Sequence, residues 1–187
     1  FLLVLHLLCI DPGSLQRITG IRAGHQEQHN TEHDEQAVRQ PPKQRARDLL
    51  SAWIYHLVFC ETAAKDLWPQ SSIIFKNAAW QFKPVDDHLK ILMDLFKMFK
   101  SGLKKPLHLF PGTSLEYVQQ QIKGKSRAAA LTLARKKWQG SGDFARGESA
   151  DPYYDICFGT TDPLDRTFED VSKAVFGPLL ASITEMQ

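Results

Sequence analysis

The chain has 187 residues, of which 43% are apolar and 10% aromatic, enough to bury a core and too apolar for global disorder. The net charge of +2 excludes a uniformly basic or acidic domain, yet residues 97–137 hold ten Lys or Arg against the single acid Glu116, and residues 141–187 hold nine acids against three bases. This layout predicts one polyanion-facing surface beside a different one, although a solvated helix face is the plainer reading of any single cluster.

The run Phe1 to Ile10 is apolar, is interrupted by His6, lacks a basic lead and is too short to span a bilayer. It reads as a buried strand or short helix, and a start at Phe1 without Met predicts a piece of a longer protein. Asp11-Pro12-Gly13 is a turn signal, after which Leu15, Ile18 and Ile21 give Leu15 to Gly24 a weak strand character. Residues 25–42 read as a flexible polar loop closed by Pro41-Pro42. Leu50, Trp53, Ile54 and Leu57 form one apolar stripe, which predicts a helix over Lys43 to Glu61. Ser72 to Lys83 predicts a β-hairpin: Ile73, Ile74 and Phe75, a turn near Asn77, then Trp80 and Phe82. Asp86 is a candidate cap for a helix carrying Leu89, Leu92, Phe96 and Phe99 at heptad-like spacing, with Gly102 past its end.

The prolines of Lys104 to Pro111 predict an extended connector, and Thr113 with Glu116 predicts a capping box that opens a short helix. Ser126 to Trp138 is a further helix, and Gly140 to Ala150 a loop. Asp151-Pro152 and Asp162-Pro163 each pair an N-cap with a first-turn proline. The second opens a helix with Leu164, Phe168, Val171 and Val175 on one face, which Gly177-Pro178 ends before a last helical turn. The order implies an α/β or α+β domain with a helical C-terminal extension.

Several chemistries can be weighed on their residues. His25, His29 and His33 would share a helix face and hold a divalent metal, but no apolar residue fixes that segment, so a polar loop is preferred. Cys9, Cys60 and Cys157 are odd in number and far apart, which excludes a disulfide framework or a CxxC site and fits a reducing cytoplasm. No GxSxG and no activated cysteine is visible, and Gly140-Ser141-Gly142 lacks the context of a nucleotide cradle, so no cofactor is expected. A metal-dependent nuclease needs an acid on one strand and an acid-x-Lys on the next. The positions before the first long helix read Ala37-Val38-Arg39-Gln40-Pro41-Pro42, and Lys76 has no acid two residues before it, so neither catalytic nor metal-binding residues are expected. The candidate DNA contacts are Lys104, Lys105, Lys123, Lys125, Arg127, Arg135, Lys136 and Lys137, because phosphate contact wants mobile or terminal cations. Trp138 beside them would stack a base, but its spacing from Leu131 and Ala134 favours core packing.

Four segments in order carry a resemblance. They are Arg45 to Leu57; Lys105-Pro106-Leu107-His108-Leu109-Phe110-Pro111-Gly112-Thr113-Ser114; Ala128 to Gly140; and Gly147-Glu148-Ser149-Ala150-Asp151-Pro152-Tyr153-Tyr154 with Phe158-Gly159 and Asp162-Pro163-Leu164-Asp165. From about residue 43 to 182 the chain resembles the C-terminal domain of the exodeoxyribonuclease V gamma chain, the RecC subunit of the RecBCD helicase–nuclease, while residues 1–40 match poorly.

The resemblance implies a degenerate PD-(D/E)xK nuclease-like core, a mixed sheet flanked by helices, over residues 1–125, with residues 126–187 as the helical C-terminal extension. It implies a non-catalytic role in DNA strand channelling, Chi recognition and docking to RecB-like and RecD-like subunits in the cytoplasm, with no membrane contact. The alternatives are a protein–protein docking module without DNA contact and an active metal-dependent nuclease.

Overall fold

A computed structural model of the chain describes residues 42–63, 69–75, 78–140, 146–159 and 161–186. Helix α1 (Pro42–Thr62) leads into a hairpin of β1 (Ser71–Phe75) and β2 (Ala78–Phe82). Then come α2 (His88–Gly102), α3 (Pro111–Ile122) and α4 (Arg127–Gln139), followed by a single 3-10 turn (Glu148–Ala150). Helices α5 (Pro152–Phe158) and α6 (Arg166–Ser182) precede a third strand, β3 (Ile183–Met186). The architecture is α+β. The sequence readings that fall on residues 1–41, including the strand or short helix of Phe1 to Ile10, the weak strand of Leu15 to Gly24 and the His25, His29 and His33 segment, lie outside the described residues, as do Trp68, Lys76 and Asn77.

The apolar stripe of α1 forms the spine of the core: Ala46, Leu49, Leu50, Trp53, Ile54 and Leu57 are all buried. This face packs against α2, α3, α6 and β1. Phe110, Tyr117, Phe168, Phe176 and Leu179 continue the same cluster across the turn at residue 125, so helices on both sides of that position share one interior. Phe110 sits at its centre, with ring centroids 4.3 Å from Trp138, 5.0 Å from Tyr154 and 5.3 Å from Phe158.

The described sheet has the order β1-β2-β3 and is entirely antiparallel, where the resemblance implies a mixed one. In the hairpin Ile73 faces Trp80 and Phe75 faces Ala78, and Phe82 pairs with Ile183 of the third strand. Gly177-Pro178 therefore does not end the helix, and the helical turn after it is followed by a strand. Helix α6 runs through Pro178 to Ser182 and then turns directly into β3, with the Lys83 N–H donating to the Ser182 carbonyl at 2.8 Å. Pro178 is tolerated because the carbonyl it leaves without a donor belongs to Ala174, on the exposed side, while Phe176 and Leu179 are held in the core.

Three helix starts differ in detail from their sequence signals. Helix α2 begins at His88 with Asp87 at its N-cap, not Asp86, and Gly102 is its last residue. Helix α6 is capped by Asp165, whose carboxylate accepts from the Phe168 N–H at 2.9 Å. Asp162 instead accepts from the Leu164 N–H at 3.1 Å, a local turn that buries Pro163 and Leu164 ahead of the helix. Helix α3 has no capping box: it starts at Pro111, and its N-cap position is Phe110, which the core needs as an aromatic ring and which therefore offers no polar side chain. Thr113 lies inside the first turn. The unpaired N–H groups there are met from 36 and 35 residues away, where Gly112 and Thr113 donate to the Glu148 carboxylate at 3.1 and 2.7 Å.

Candidate nucleic-acid interface

The basic residues lie at element ends, for local reasons. Helix α2 finishes in a turn in which the Lys104 and Lys105 N–H groups donate to the Ser101 carbonyl at 3.0 and 3.1 Å, leaving both side chains exposed. Lys123, Gly124 and Lys125 form the tight reversal between α3 and α4, where Gly124 takes a φ of 80° that a side chain would disfavour. Ser126 then caps α4, accepting from the Ala129 N–H at 3.3 Å. At the other end of α4, Lys136 and Lys137 occupy the last turn, where cations complement the helix dipole.

The eight candidate cations divide into two groups. The two arginines hold carboxylates of the acidic C-terminal half: Arg135 donates to Asp162 at 2.5 Å, and Arg127 donates to Glu169 through Nε at 2.8 and 3.0 Å and through Nη2 at 2.5 Å. Lys104, Lys105, Lys123, Lys125 and Lys136 are exposed, Lys137 is half-buried, and none of the six enters an ion pair among the described residues. The two ends of α4 place the lysine pairs about 18 Å apart along its axis.

Glu169 is fully buried, and the arrangement around it was invisible in the sequence. Besides Arg127 it accepts from the Tyr117 hydroxyl at 2.8 Å, and Arg166 lies 3.9 Å away. The Arg127 hydrogen bonds hold the Glu169 carboxyl down at about 2, while burial and the adjoining carboxylate push the Tyr117 phenol up to about 12. The group joins α3, α4 and α6. It is a structural ion pair, so Arg127 serves packing first and a ligand only through its exposed edge.

Trp138 is also structural. Its ring lies against Phe110 and, at 5.7 Å, Tyr154, in line with the core-packing reading.

His56 sits where α1 meets the hairpin. The imidazole is buried against the Trp53 and Phe82 rings, 5.8 and 5.3 Å away, which also touch each other at 5.7 Å. Its Nε2–H donates to the Lys83 carbonyl at 2.8 Å, so Nδ1 accepts from the Ser71 hydroxyl at 2.6 Å. Burial lowers its pKa below the ordinary value, against the raising effect of the Lys83 carbonyl. Cys60 Sγ lies 3.5 Å from Nε2, but that nitrogen carries its proton to the carbonyl and gives the thiol no base. The ring ties α1 to the hairpin. His88, by contrast, is raised by its 2.8 Å hydrogen bond to Glu61, which pins the start of α2 to the end of α1.

Among the described residues no three His, Cys, Asp or Glu side chains stand close enough together to hold a metal ion, and no helix is long and apolar enough to cross a membrane. The residues before the first helix that bear on a nuclease site, Ala37 to Pro41, lie outside the described residues.

Compared with known families, residues 12–122 match the RecC C-terminal domain. The match covers more than half of the chain. It starts earlier than the resemblance traced from residue 43 and stops before the segments at Ala128 and Gly147. No curated protein matches the chain.

Proposed function

The chain belongs to the RecC C-terminal domain family, and from that premise we propose that it is a non-catalytic, DNA-contacting and docking domain of a RecC-like subunit. That subunit works in the cytoplasm within exodeoxyribonuclease V, the ATP-dependent helicase–nuclease of double-strand-break repair and recombination. The domain guides separated DNA strands, supports Chi recognition and meets RecB-like and RecD-like subunits, and it uses no cofactor of its own. The degenerate nuclease core is part of the same proposal, motivated by residues 37–42, which hold no carboxylate to bind a metal.

The observation that carries DNA contact is the set of five exposed lysines, Lys104, Lys105, Lys123, Lys125 and Lys136, without carboxylate partners among the described residues. A cation already paired loses its partner when it moves to a phosphate; an unpaired one does not. Each phosphate neutralised releases counterions, so the binding constant falls with salt by a log–log slope of roughly 0.7 per phosphate on a single strand. Changing all five lysines to Ala in the full chain weakens binding to a labelled single-stranded oligonucleotide and flattens that slope by roughly 0.7 for each phosphate no longer neutralised. Unchanged affinity and slope would remove DNA contact from the proposal.

A further inference from the structure

Helix α2 is apolar on two sides. Eight of its fifteen residues are apolar, yet none is buried. One side, with Ile91, Leu92, Leu95 and Met98, packs on the core. The other side carries Leu89, Met93, Phe96 and, one residue past the helix, Leu103, which are 52, 54, 43 and 59% exposed. A helix that is apolar all round is normally covered all round.

The exposed side has a definite pattern. Positions 89, 93, 96, 100 and 103 follow the alternating four-and-three spacing of a coiled-coil seam, with Leu89, Phe96 and Leu103 at d and Met93 and Lys100 at a. The e positions of that register are Lys90, Lys97 and Lys104, all exposed lysines. The one acid of the helix, Asp94, is off the seam and bound to Lys97 at 2.8 Å. Lys100, the polar residue at an a position, lies over the Phe96 ring at 5.9 Å.

We propose that this face of α2 is a heptad seam for an acidic amphipathic helix of a partner chain, whose apolar residues cover Leu89, Met93, Phe96 and Leu103 and whose carboxylates meet the lysine row. The charge pattern selects the occupant. In an antiparallel pair of two copies the lysine row would face itself, and in a parallel pair it would face Leu92 and Phe99, so a second copy supplies no carboxylate. The seam is also narrow, the width of one helix, whereas a lipid surface takes a broad apolar face. Met93 suits such a groove, because a Met side chain adapts to the knob placed on it. This inference rests on the docking half of the proposed function and not on its DNA half.

The test uses the full chain and two labelled four-heptad peptides with Leu at a and d, one with Glu and the other with Lys at the flanking e and g positions. The Glu peptide binds, and the Lys peptide binds at least about tenfold more weakly. Phe96→Glu weakens the Glu peptide by about tenfold or more, the milder Met93→Gln weakens it in the same direction, and K90E with K97E reverses the preference. Thermal melts confirm that these surface variants are folded. DNA affinity stays unchanged in Phe96→Glu, which separates a failure of the seam from a failure of the DNA contact. The proposal is overturned if neither peptide binds, if both bind equally, or if Phe96→Glu leaves binding intact. It is equally overturned if Phe96→Glu abolishes self-association in sedimentation equilibrium, or binding to phosphatidylserine vesicles, in place of peptide binding.

Discussion

Glu169 carries its charge in the interior, where an unpaired carboxylate is costly, and it is tolerated because Arg127, Tyr117 and, more distantly, Arg166 surround it. Removing one partner of such a group leaves the others exposed to the same cost. Glu169→Gln therefore lowers stability by about 3 kcal/mol, read as a drop in the denaturation midpoint with little change in slope. The pH dependence has a defined sign. The folded carboxyl titrates near 2 against an ordinary value of 4.5, so its contribution is fully present above 4.5 and fades as pH falls toward 2. The difference between the native chain and Glu169→Gln shrinks across that window, and a difference that grows on acidification contradicts the pairing described.

At the scale of elements, the first turn of α3 depends on a loop remote in sequence. Gly147 lets Glu148 reach it: a Cβ on residue 147 would collide with the backbone of Trp138, Gln139 and Gly140. Gly147→Ala should therefore cost about 1–3 kcal/mol, the range for a buried hydrogen-bonding group left unmet, and hydrogen exchange should show faster opening at Gly112 and Thr113 than elsewhere in α3. Equal protection along the helix would mean that the cap is not needed. The contrast with what the sequence disclosed is physical. The stripe of α1, the Ile73–Phe82 hairpin and the helix from Ser126 to Trp138 are written in neighbours a few residues apart, and they were legible. The Glu148 cap, the Tyr117–Glu169 bond across 52 residues and the pairing of β3 with β2 are not, because no local pattern names the distant partner. The same limit applied to the candidate interface. Composition located all eight cations, but only the fold showed that Arg127 and Arg135 are held by Glu169 and Asp162.

For the molecule as a whole, the shared core has a consequence for cooperativity. Tyr117 and Phe110 lie before residue 125, and Arg127, Trp138 and Glu169 after it, yet they contact one another directly. Far-UV circular dichroism and tryptophan fluorescence should then report one coincident thermal transition, and two separated midpoints would mean that the two parts unfold independently. The remote cap also sets an order in time. Protein synthesis runs from the N-terminus at about 5–20 residues per second, so Gly112 is made roughly two to seven seconds before the Glu148 that completes the first turn of α3. A nascent chain halted between α4 and Glu148 would hold its helices without that clasp, a half-built interior on which a ribosome-associated chaperone could act.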